Sequence, residues 1–417
     1  MDTIYAEATP PGRGGVSVVR LSGPDARVIG EALAGPLPVA RRAELRAFRD
    51  NGELIDKGLV LRFDERASFT GEAAVEFHTH GAPVVVRRLE RALADRGARL
   101  AEPGEFTRRG FLNGTIPLSA AEALSDLLAA EGEAQRVQAM RVVAGELTHW
   151  VDRLRAKLVR AGAFIEVSLD FADEEVPETV PAEVFELLAE VREEMLRTLS
   201  GYPAAERLRA GFEVAIVGPP NAGKSSLLNR IARREMALVS ETAGTTRDVI
   251  EYHADLGGLA VTFLDTAGIR GTDDEIERLG VIRARDRAAA ADLRVHISEC
   301  RQPVSDVYQD GDLVLRSKSD MHEGDVSAVT GQGIRELLDQ IRARLSDRVA
   351  GAGLIARRRQ AQALADAARV LDVTPDLAPE ILAESVRVAT SRLSEVIGRV
   401  APDDYLDEIF SSFCIGK

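Results

Sequence analysis

The chain has 417 residues, of which 45% are hydrophobic and 29% are charged, and its formal net charge is −14. This length predicts two or three domains, and no apolar run approaches the roughly 18 residues that a membrane span requires. The acidic balance excludes a general nucleic-acid coat, which would be basic, but it allows a partner held by a local arginine patch. Because the N-terminus lacks the basic start and apolar stretch of a signal peptide, and the two cysteines lie far apart, we expect a cytoplasmic protein without a disulfide framework.

Residues 1–116 are predicted to form an N-terminal α/β domain. Segments rich in β-branched residues alternate with breakers and are typical of strands. They are TIYAEAT, GVSVVRLSG, LVLRF and AAVEFHTH. Residues 83–97 have the pattern of a helix closed by Gly97.

Residues 117–210 change to a helical pattern. Ser119 and Glu122 have the spacing of a capping box, which predicts a helix start. A stretch rich in Ala, Leu, Glu and Arg follows to about residue 169, and a second helical stretch covers about 181–210.

Strand and helix signals alternate over residues 211–349, beginning with the apolar run FEVAIVG. From residue 350 to residue 417 the chain is again helical, with an interruption at about 373–379. Neither helical part has a closed core of its own, so we expect the two to pack together around an inserted α/β domain.

The first strand of the inserted domain leads into a glycine-rich loop. Residues 218–225, GPPNAGKS, match G-x-x-x-x-G-K-S between a predicted strand and a predicted helix. Backbone N–H groups and the helix N-terminus would face phosphate oxygens, Lys224 would contact the β- and γ-phosphates, and Ser225 would bind Mg²⁺. A glycine-rich turn without a ligand is the alternative, but the motif and its context favour a phosphate-binding loop.

Two later segments have the order of GTPase switches. In SETAGTTRD (240–248), Thr246 would reach Mg²⁺ and the γ-phosphate. A strand then ends in DTAG, where Asp265 would hold Mg²⁺ through water and the Gly268 N–H would sense the γ-phosphate. The GTP contacts predicted from the loop and the two switches are Asn221, Ala222, Gly223, Lys224, Ser225, Ser226, Ser240, Glu241, Thr242, Ala243, Gly244, Thr245, Thr246, Asp265, Thr266, Ala267 and Gly268.

The base-recognition elements are less regular. RSKSD (316–320) stands where N-K-x-D is expected, with Ser317 in place of the asparagine. Asp320 can still accept hydrogen bonds from guanine, but the missing asparagine predicts reduced guanine affinity or selectivity. The predicted contacts of this end are Lys318, Asp320, Ser327 and Ala328, the last two in SAVTGQG.

The inserted domain is also short. Few residues separate the strand in ADLRVHISEC (291–300) from SKSD, and fewer separate SKSD from SAVTG. A full GTPase domain usually has a helix in the first gap and a strand in the second. We therefore predict a somewhat truncated Ras-like P-loop GTPase domain, without a full helix after this strand and with weakened nucleotide binding.

The residue that follows DTAG bears on hydrolysis. Many GTPases place a glutamine here to orient the attacking water. Ile269 cannot do so, so another group must act. The candidates are the acidic residues of TDDEIER (272–278) or a group from a partner, and a solvated acidic turn without a role is the alternative.

Taken together with marks elsewhere in the chain, these motifs resemble the bacterial tRNA modification GTPase family known as MnmE or TrmE. The resemblance extends nearly from end to end. Its marks are DTIYAEATPPGRGGVSVVRLSG, FTGEAAVEF, PGEFTRRGFLNG, GPPNAGKSSLLN, AGTTRD, DTAGIRGTDDEIERLG, IARRRQ and FSSFCIGK.

The resemblance implies how GTP would be hydrolysed. Two GTPase domains would meet across a K⁺ ion, which neutralises charge between the β- and γ-phosphates as an arginine finger does elsewhere. Glu277 matches the glutamate that orients the attacking water, and Lys224 and Thr246 complete the catalytic set of this domain. The positions that match the K⁺ ligands are Asn221, Ser240, Thr242 and Thr245.

The resemblance also implies a folate site and partners. The N-terminal domain would bind 5,10-methylene- or 5-formyl-tetrahydrofolate and pair two subunits into a homodimer. With the flavin- and NADH-dependent partner MnmG, in a heterotetramer, the family adds an aminomethyl or carboxymethylaminomethyl group to carbon 5 of the wobble uridine of certain tRNAs. The matching folate contacts are Arg20, Glu76, Thr115, where many members have lysine, and Lys417.

Cys414 and two histidines have competing interpretations. The Cys414 thiol would act in the folate chemistry or simply pack beside Phe413, and C-I-G-K is a poor prenylation motif. His78 and His80 lie on one strand face without a third ligand nearby, so we expect no metal there.

Two other function classes are weighed against a tRNA-modifying GTPase. A GTP-dependent switch in ribosome assembly would share the P-loop elements, but it leaves the N-terminal domain and the FCIGK tail unexplained. A folate-binding module with an inactive GTPase domain would fit Ser317 and the short inserted domain.

Overall fold

The computed structural model describes residues 2–170, 180–235, 250–265, 285–399, 410 and 416. The chain divides into two compact units, residues 1–125 with 397–417 and residues 126–396. Among the described residues, no helix combines the length and apolar character needed to cross a bilayer. The domain boundaries that we place after residues 116, 210 and 349 stay predictions.

The first unit contains a six-stranded sheet. Its strands are β1 (Ile4–Glu7), β2 (Ser17–Ser22), β3 (Glu44–Asp50), β4 (Glu53–Phe63), β5 (Ala74–Thr79) and β6 (Arg99–Leu100). The strand order is β3-β4-β5-β2-β1-β6, and every pairing is antiparallel except that of β1 with β6. Alternate residues such as Val19 and Leu21 on β2 are buried, as expected for a sheet with one face on the core.

The helices of this unit are α1 (Ala26–Ala34), α2 (Pro83–Ala94) and α3 (Glu105–Leu112), followed by α4 (Leu118–Ala129), which runs from this unit into the next. The predicted helix at 83–97 is confirmed as α2, with Gly97 at φ +90° just beyond its end. Leu89 and Leu93 of α2 are fully buried in the core. In the same core, Phe48 and Phe77 meet edge to face at 5.3 Å.

The predicted capping box at the start of α4 is wrong. The helix already includes Leu118, and the Pro117 carbonyl accepts hydrogen bonds from the N–H groups of Ala120 and Ala121. Because the helix starts two residues earlier than a cap at Ser119 requires, Ser119 lies inside it rather than at its cap. Its hydroxyl is buried and has no hydrogen-bond partner within the described part of the chain.

The described residues of the second unit contain eight further helices. A short helical segment at 285–290 is not counted among them. The eight helices are α5 (Glu133–Val143), α6 (Glu146–Asp170), α7 (Ala182–Ser200), α8 (Tyr202–Ala210), α9 (Lys224–Glu235), α10 (Ile334–Arg348), α11 (Arg358–Val370) and α12 (Pro379–Val396). Helix α6 packs against α7 and α12, and α11 packs against α7 and α12. The helices before and after the inserted domain therefore share one core, as predicted from their separately open faces.

The inserted domain is built on a five-stranded sheet. Its strands are β7 (Phe212–Val217), β8 (Ile250–Leu256), β9 (Leu259–Asp265), β10 (Leu293–Ser298) and β11 (Leu313–Arg316). The order is β11-β10-β7-β9-β8, and all neighbours are parallel except β8 and β9. Because both faces are covered, β7 is a nearly continuous apolar run. β10 is also buried along its whole length, but it alternates apolar with polar residues. Helices α9 and α10 cover one face.

The predicted shortening of this domain is confirmed. Residues 299–312 between β10 and β11, called here the 299–312 connection, are all described and contain no helix, and residues 317–327 contain no strand. Val304 and Val307 of the connection instead pack on the second face of the sheet. A few apolar side chains therefore cover the sheet where a helix usually does.

A buried polar cluster fastens the 299–312 connection to the sheet. Asp312 accepts hydrogen bonds from Arg294 Nε at 2.8 Å and from His296 Nε2 at 3.1 Å. On the other side of the ring, His296 Nδ1 accepts a hydrogen bond from the Val304 backbone at 3.1 Å. These two contacts assign the neutral Nε2–H tautomer to His296, since each ring nitrogen has a defined role.

The start of α5 contacts the hairpin formed by β8 and β9. The Ala134 N–H donates to the Gly258 carbonyl at 2.9 Å. A Cβ on Gly132 would lie 2.6 Å from the Ala260 nitrogen, so only glycine fits there. The Gln135 amide donates to the Arg209 carbonyl at 3.1 Å and ties the same segment to the end of α8.

Candidate functional site

The phosphate-binding loop lies between the end of β7 and the start of α9. Asn221 and Gly223 have φ of +62° and +94°, the left-handed conformation that turns backbone N–H groups inward. Gly218 lies against β10, where a Cβ would come within 2.2 Å of the Ile297 carbonyl oxygen. The glycine spacing of the motif therefore follows from the tight turn and from the neighbouring strand.

Lys224 begins α9 and lies across this loop. Its Nζ donates to the carbonyl oxygens of Gly218 at 2.9 Å and Pro219 at 3.1 Å. Asn221 is exposed at the tip of the loop, whereas Ala222 is buried beneath it. Ser225 and Ser226 follow Lys224 in the first turn of α9, where the backbone N–H groups lack helical partners.

Asp265 lies beside the phosphate-binding loop. It is the last residue of β9 and pairs in register with Ile216 of β7, next to the start of the loop. The residue is only 5% exposed. Its carboxylate and the Ser225 hydroxyl are oxygen ligands of the kind that Mg²⁺ prefers, so this donor set fits that ion.

The switch residues fall outside the described part of the chain. This holds for Ile269 and for Ser240, Glu241, Thr242, Ala243, Gly244, Thr245, Thr246, Thr266, Ala267, Gly268 and Glu277.

The predicted base-recognition residues come from the segments that follow β11 and precede α10. Asp320 accepts a hydrogen bond from the buried Ser327 hydroxyl at 2.5 Å. This bond holds the pKa of the Asp320 carboxyl below its usual value, so the group is an ionised acceptor near neutral pH. Ala328 follows directly in the chain and is partly buried. The fold thus brings Asp320 to the segment predicted to give the last base contact.

Two features beside these residues do not follow from the sequence pattern. Lys318 has φ +60°, and its Nζ donates to Glu299 Oε1 at 2.5 Å. Ser317 is buried, and its hydroxyl has no hydrogen-bond partner among the described residues. A usable signal for Glu299 was its place directly after β10, because ligands bind at the carboxyl ends of parallel strands.

A cavity of about 670 Å³ lies on the outer side of the phosphate-binding loop. One wall is the loop itself and another is the 299–312 connection, which contributes the exposed Cys300. The cavity therefore lies where the shortened domain has only a loop to cover the sheet. Its apolar lining includes Pro219, Pro220, Pro303, Val304 and Val307.

The predicted folate contacts Arg20 and Glu76 lie together on the first unit's sheet. They face each other in register on β2 and β5, with Arg20 Nε 2.9 Å from Glu76 Oε1. The Arg20 guanidinium also lies over the Phe106 ring at 5.7 Å, and its Nη1 is 3.5 Å from the Gly416 carbonyl oxygen. Gly416 has φ +95°, and a Cβ there would come within 2.3 Å of the Glu7 carbonyl oxygen. The described end of the tail thus reaches the Arg20–Glu76 pair, while Cys414 and Lys417 lie outside the described residues.

The remaining predicted residues of this unit have other contacts. The Thr115 hydroxyl is 2.7 Å from the Gly110 carbonyl and 2.9 Å from the Phe69 carbonyl, so it stabilises the turn after α3. His80 Nδ1 is 2.9 Å from Asp56 Oδ1. Among the described residues, no group of three or more His, Cys, Asp or Glu side chains has the arrangement of a metal site.

Comparison with known proteins identifies relatives over the whole chain. The family model described as the GTP-binding protein TrmE N-terminus matches residues 3–115, and the MnmE helical domain model matches residues 118–414. A tRNA modification GTPase MnmE from Paracoccus denitrificans is 58% identical over 420 residues, covering 100% of both chains. The protein of the same name from Roseobacter denitrificans is 49% identical over 428 residues, again covering 100% of both.

A crystal structure of Era from Aquifex aeolicus is 25% identical over 32% of this chain and 56% of that chain, but its TM-score of 0.25 is too low to add to the assignment. The two family models and the full-length relatives agree with each other and with the phosphate-binding loop. The chain therefore belongs to the MnmE family of tRNA modification GTPases.

Proposed function

We propose that this GTPase acts in the cytoplasm with the flavoprotein MnmG to add an aminomethyl or carboxymethylaminomethyl group to carbon 5 of the wobble uridine of certain tRNAs. The observation that carries the proposal is the 58% identity over the full length of a relative named tRNA modification GTPase MnmE. A switch that serves only ribosome assembly would not need the N-terminal unit that this family retains.

Phosphate binding follows from the backbone of the loop. Its inward N–H groups and the start of α9 would hold the phosphate oxygens, and Lys224 would exchange its bonds to Gly218 and Pro219 for the β- and γ-oxygens. Mg²⁺, when bound, would neutralise charge on these oxygens. Ser225 and Thr246 would hold it directly, and Asp265 would hold it through water.

Hydrolysis would need a second GTPase domain, within a homodimer of the chain. K⁺ between the two domains would neutralise the charge that develops between the β- and γ-phosphates. Asn221 supports this arrangement, because its left-handed backbone leaves it exposed at the loop tip, where another domain can approach. Glu277 would orient the attacking water that Ile269 cannot hold. The other proposed K⁺ ligands are Ser240, Thr242 and Thr245.

The one-carbon donor would bind beside Arg20 and Glu76. A carboxylate accepts from the N–H groups of a pterin, and a guanidinium donates to its carbonyl oxygen or to folate carboxylates. Bound tetrahydrofolate would supply the carbon that is added to uridine, and Lys417 and Cys414 would act from the tail that reaches Arg20. Thr115 would contribute less than a lysine, because its hydroxyl already bonds the backbone.

Mass spectrometry of wobble uridines tests this function. We expect the modification to be lost from tRNA of a deletion strain and restored by the wild-type gene, but not by the gene for Lys224→Ala. Wobble uridines that are unchanged in the deletion strain would overturn the proposal.

Two measurements on the purified protein test its details. We expect hydrolysis to be faster in K⁺ than in Na⁺ at equal ionic strength, and equal rates would remove the proposed K⁺ site. We also expect the shortened GTPase domain, with Ser317 in place of the usual asparagine, to bind guanine nucleotides weakly in a titration. Tight and strongly guanine-selective binding would contradict that expectation.

A further inference from the structure

We propose that Glu299 is a positioning residue that holds the base-recognition loop, residues 317–320, in the shape in which Lys318 and Asp320 contact guanine. The inference rests on the proposed function only in assigning these two residues to the base. The contacts of the described loop residues support it independently.

Three groups on or beside the loop meet Glu299. Lys318 Nζ donates to its carboxylate at 2.5 Å, and Arg316 Nε donates to its backbone carbonyl at 2.8 Å. His322 Nε2 lies 3.9 Å from the second carboxylate oxygen. Glu299, directly after β10, thus contacts Lys318 within the loop and one residue on each side of the loop, Arg316 and His322.

Lys318 is the residue of the loop that most needs such a contact. Its φ of +60° is unfavourable for a residue with a Cβ, and its carbonyl accepts the N–H groups of Met321 and His322, which closes a turn on that residue. A lysine side chain also loses rotamer freedom when its stem must cover a base. Holding the ammonium group at Glu299 fixes the stem before nucleotide binds, so less of this freedom is lost on binding.

Ser317, the residue before Lys318, contributes to the position of the loop through its backbone and not through its side chain. The Ser317 hydroxyl is buried without a hydrogen-bond partner in the described residues, whereas its backbone N–H donates to the Ser298 carbonyl at 3.0 Å. The loop is therefore attached to consecutive residues, Ser298 and Glu299, at the point where the usual helix is missing.

The charges near this contact agree with an ionised pair. Lys318 is the main cause of a lowered pKa at Glu299, with smaller contributions from His322 and Arg316. Lys318 is one-third exposed and Glu299 about one-half, so water and salt screen the attraction. We therefore expect a modest effect on base binding rather than loss of the fold.

The test is nucleotide binding by the full chain carrying Glu299→Gln. We expect the dissociation constant for GDP to rise about two- to fivefold, while that for tripolyphosphate, which occupies only the phosphate end, stays unchanged. Glu299→Asp should recover part of the loss, and 0.5 M KCl should reduce the difference from wild type. The matched control is Asp310→Asn, which removes an exposed carboxylate from the same connection and should change neither constant.

A double-mutant cycle with Lys318→Gln separates positioning from a general charge effect. If Glu299 acts through Lys318, its replacement adds little once the lysine is gone. Unchanged GDP binding by Glu299→Gln, or an equal loss of tripolyphosphate binding, would overturn the inference, as would additive effects in the cycle. Unchanged wobble uridines in a deletion strain would instead overturn the proposed function and leave these binding results standing.

Discussion

The two ends of the nucleotide site are built in different ways. At the phosphate end, one continuous segment from β7 into α9 supplies the loop, and its shape comes from left-handed backbone at Asn221 and Gly223. At the base end, three separate segments meet, and side-chain contacts such as Lys318 with Glu299 hold them together. A site made from local backbone is retained when a domain is shortened, whereas a site assembled from distant side chains must be rebuilt.

Asp265 and the Lys318–Glu299 pair differ in their exposure to water. Asp265 is 5% exposed, whereas the Lys318 and Glu299 side chains are 33% and 51% exposed. Screening by salt and competition from water therefore act more on the Lys318–Glu299 pair than on Asp265. Changes at the phosphate end should affect every nucleotide, and changes at the base end should affect the choice between nucleotides.

The largest effect is expected from Lys224→Ala. Loss of the ammonium group that would face the β- and γ-phosphates should lower the rate of GTP hydrolysis at least about 100-fold, as measured by phosphate release. Lys157→Ala, the same exchange in α6, should keep the rate within about twofold of wild type, since its partner Glu190 is an exposed surface residue. Equal rates for wild type and Lys224→Ala would show that Lys224 does not contact the phosphates during hydrolysis.

Gly218→Ala should destabilise the same end through packing. The new methyl group would lie 2.2 Å from the Ile297 carbonyl oxygen, a backbone atom of a central strand, and should cost roughly 2–4 kcal/mol. Thermal unfolding with and without GDP measures this as a lower midpoint and a smaller stabilisation by nucleotide. Gly162→Ala, in the middle of helix α6, is the control. Its methyl group would make only an ordinary 3.6 Å contact with Val386 and should not lower the midpoint. Equal midpoints for wild type and Gly218→Ala would contradict the close packing of the loop on β10.

Asp320→Asn should alter base choice without impairing phosphate binding. The amide can no longer accept both N–H groups of guanine, but it can donate to the oxygen that xanthine carries in place of the amino group. We expect GDP affinity to fall roughly 10- to 100-fold and xanthosine diphosphate affinity to rise. Glu323→Gln, an exposed exchange in the next turn, is the control. An unchanged preference between the two bases would show that Asp320 does not contact the base.

The smallest effect is a pH dependence of stability from the 299–312 connection. Burial lowers the pKa of His296 from its usual 6.5, the nearby Arg294 acts in the same direction, and the hydrogen bond with Asp312 opposes them only in part. The folded protein keeps this ring neutral while the unfolded chain binds a proton. Stability is therefore complete above about pH 6.5 and is lost as the pH falls toward the lowered value.

Thermal unfolding between about pH 7.5 and about pH 5.5 measures this dependence. His296→Gln should make the unfolding midpoint less dependent on pH, whereas exchange of the exposed His149 in α6 should leave the slope as it is. An identical slope for wild type and His296→Gln would exclude His296 as its source.

Features formed by neighbouring residues can be predicted from the sequence, whereas contacts between distant segments cannot. The phosphate-binding loop was predictable because its turn, its glycines and its lysine follow one another in the chain. The missing helix was also predictable, because chain length alone limits what fits between β10 and β11. The contact of Glu299 with Lys318 was not, since it depends on how two strands align in the sheet.

The N-terminal unit shows the same limit. Strand β3, ELRAFRD, has too many charged residues for a clear alternation, and it is stabilised by pairing along β4. Ser119 was misassigned because a capping pattern fits any serine three residues before a glutamate. Ser119 and Glu122 are both buried inside the helix, and which helical residues are buried depends on the whole unit.

The contact between α5 and the hairpin of β8 and β9 has a mechanical consequence. At one end of the hairpin, β8 follows the segment predicted to contain the first switch, and β9 ends at Asp265 beside the phosphate-binding loop. At the other end, a Cβ on Gly132 would lie 2.6 Å from the Ala260 nitrogen, and the Ala134 N–H donates to the Gly258 carbonyl. Because the β8–β9 turn contacts α5 this closely, we expect a tilt of the hairpin at its nucleotide end to shift the start of α5 as well.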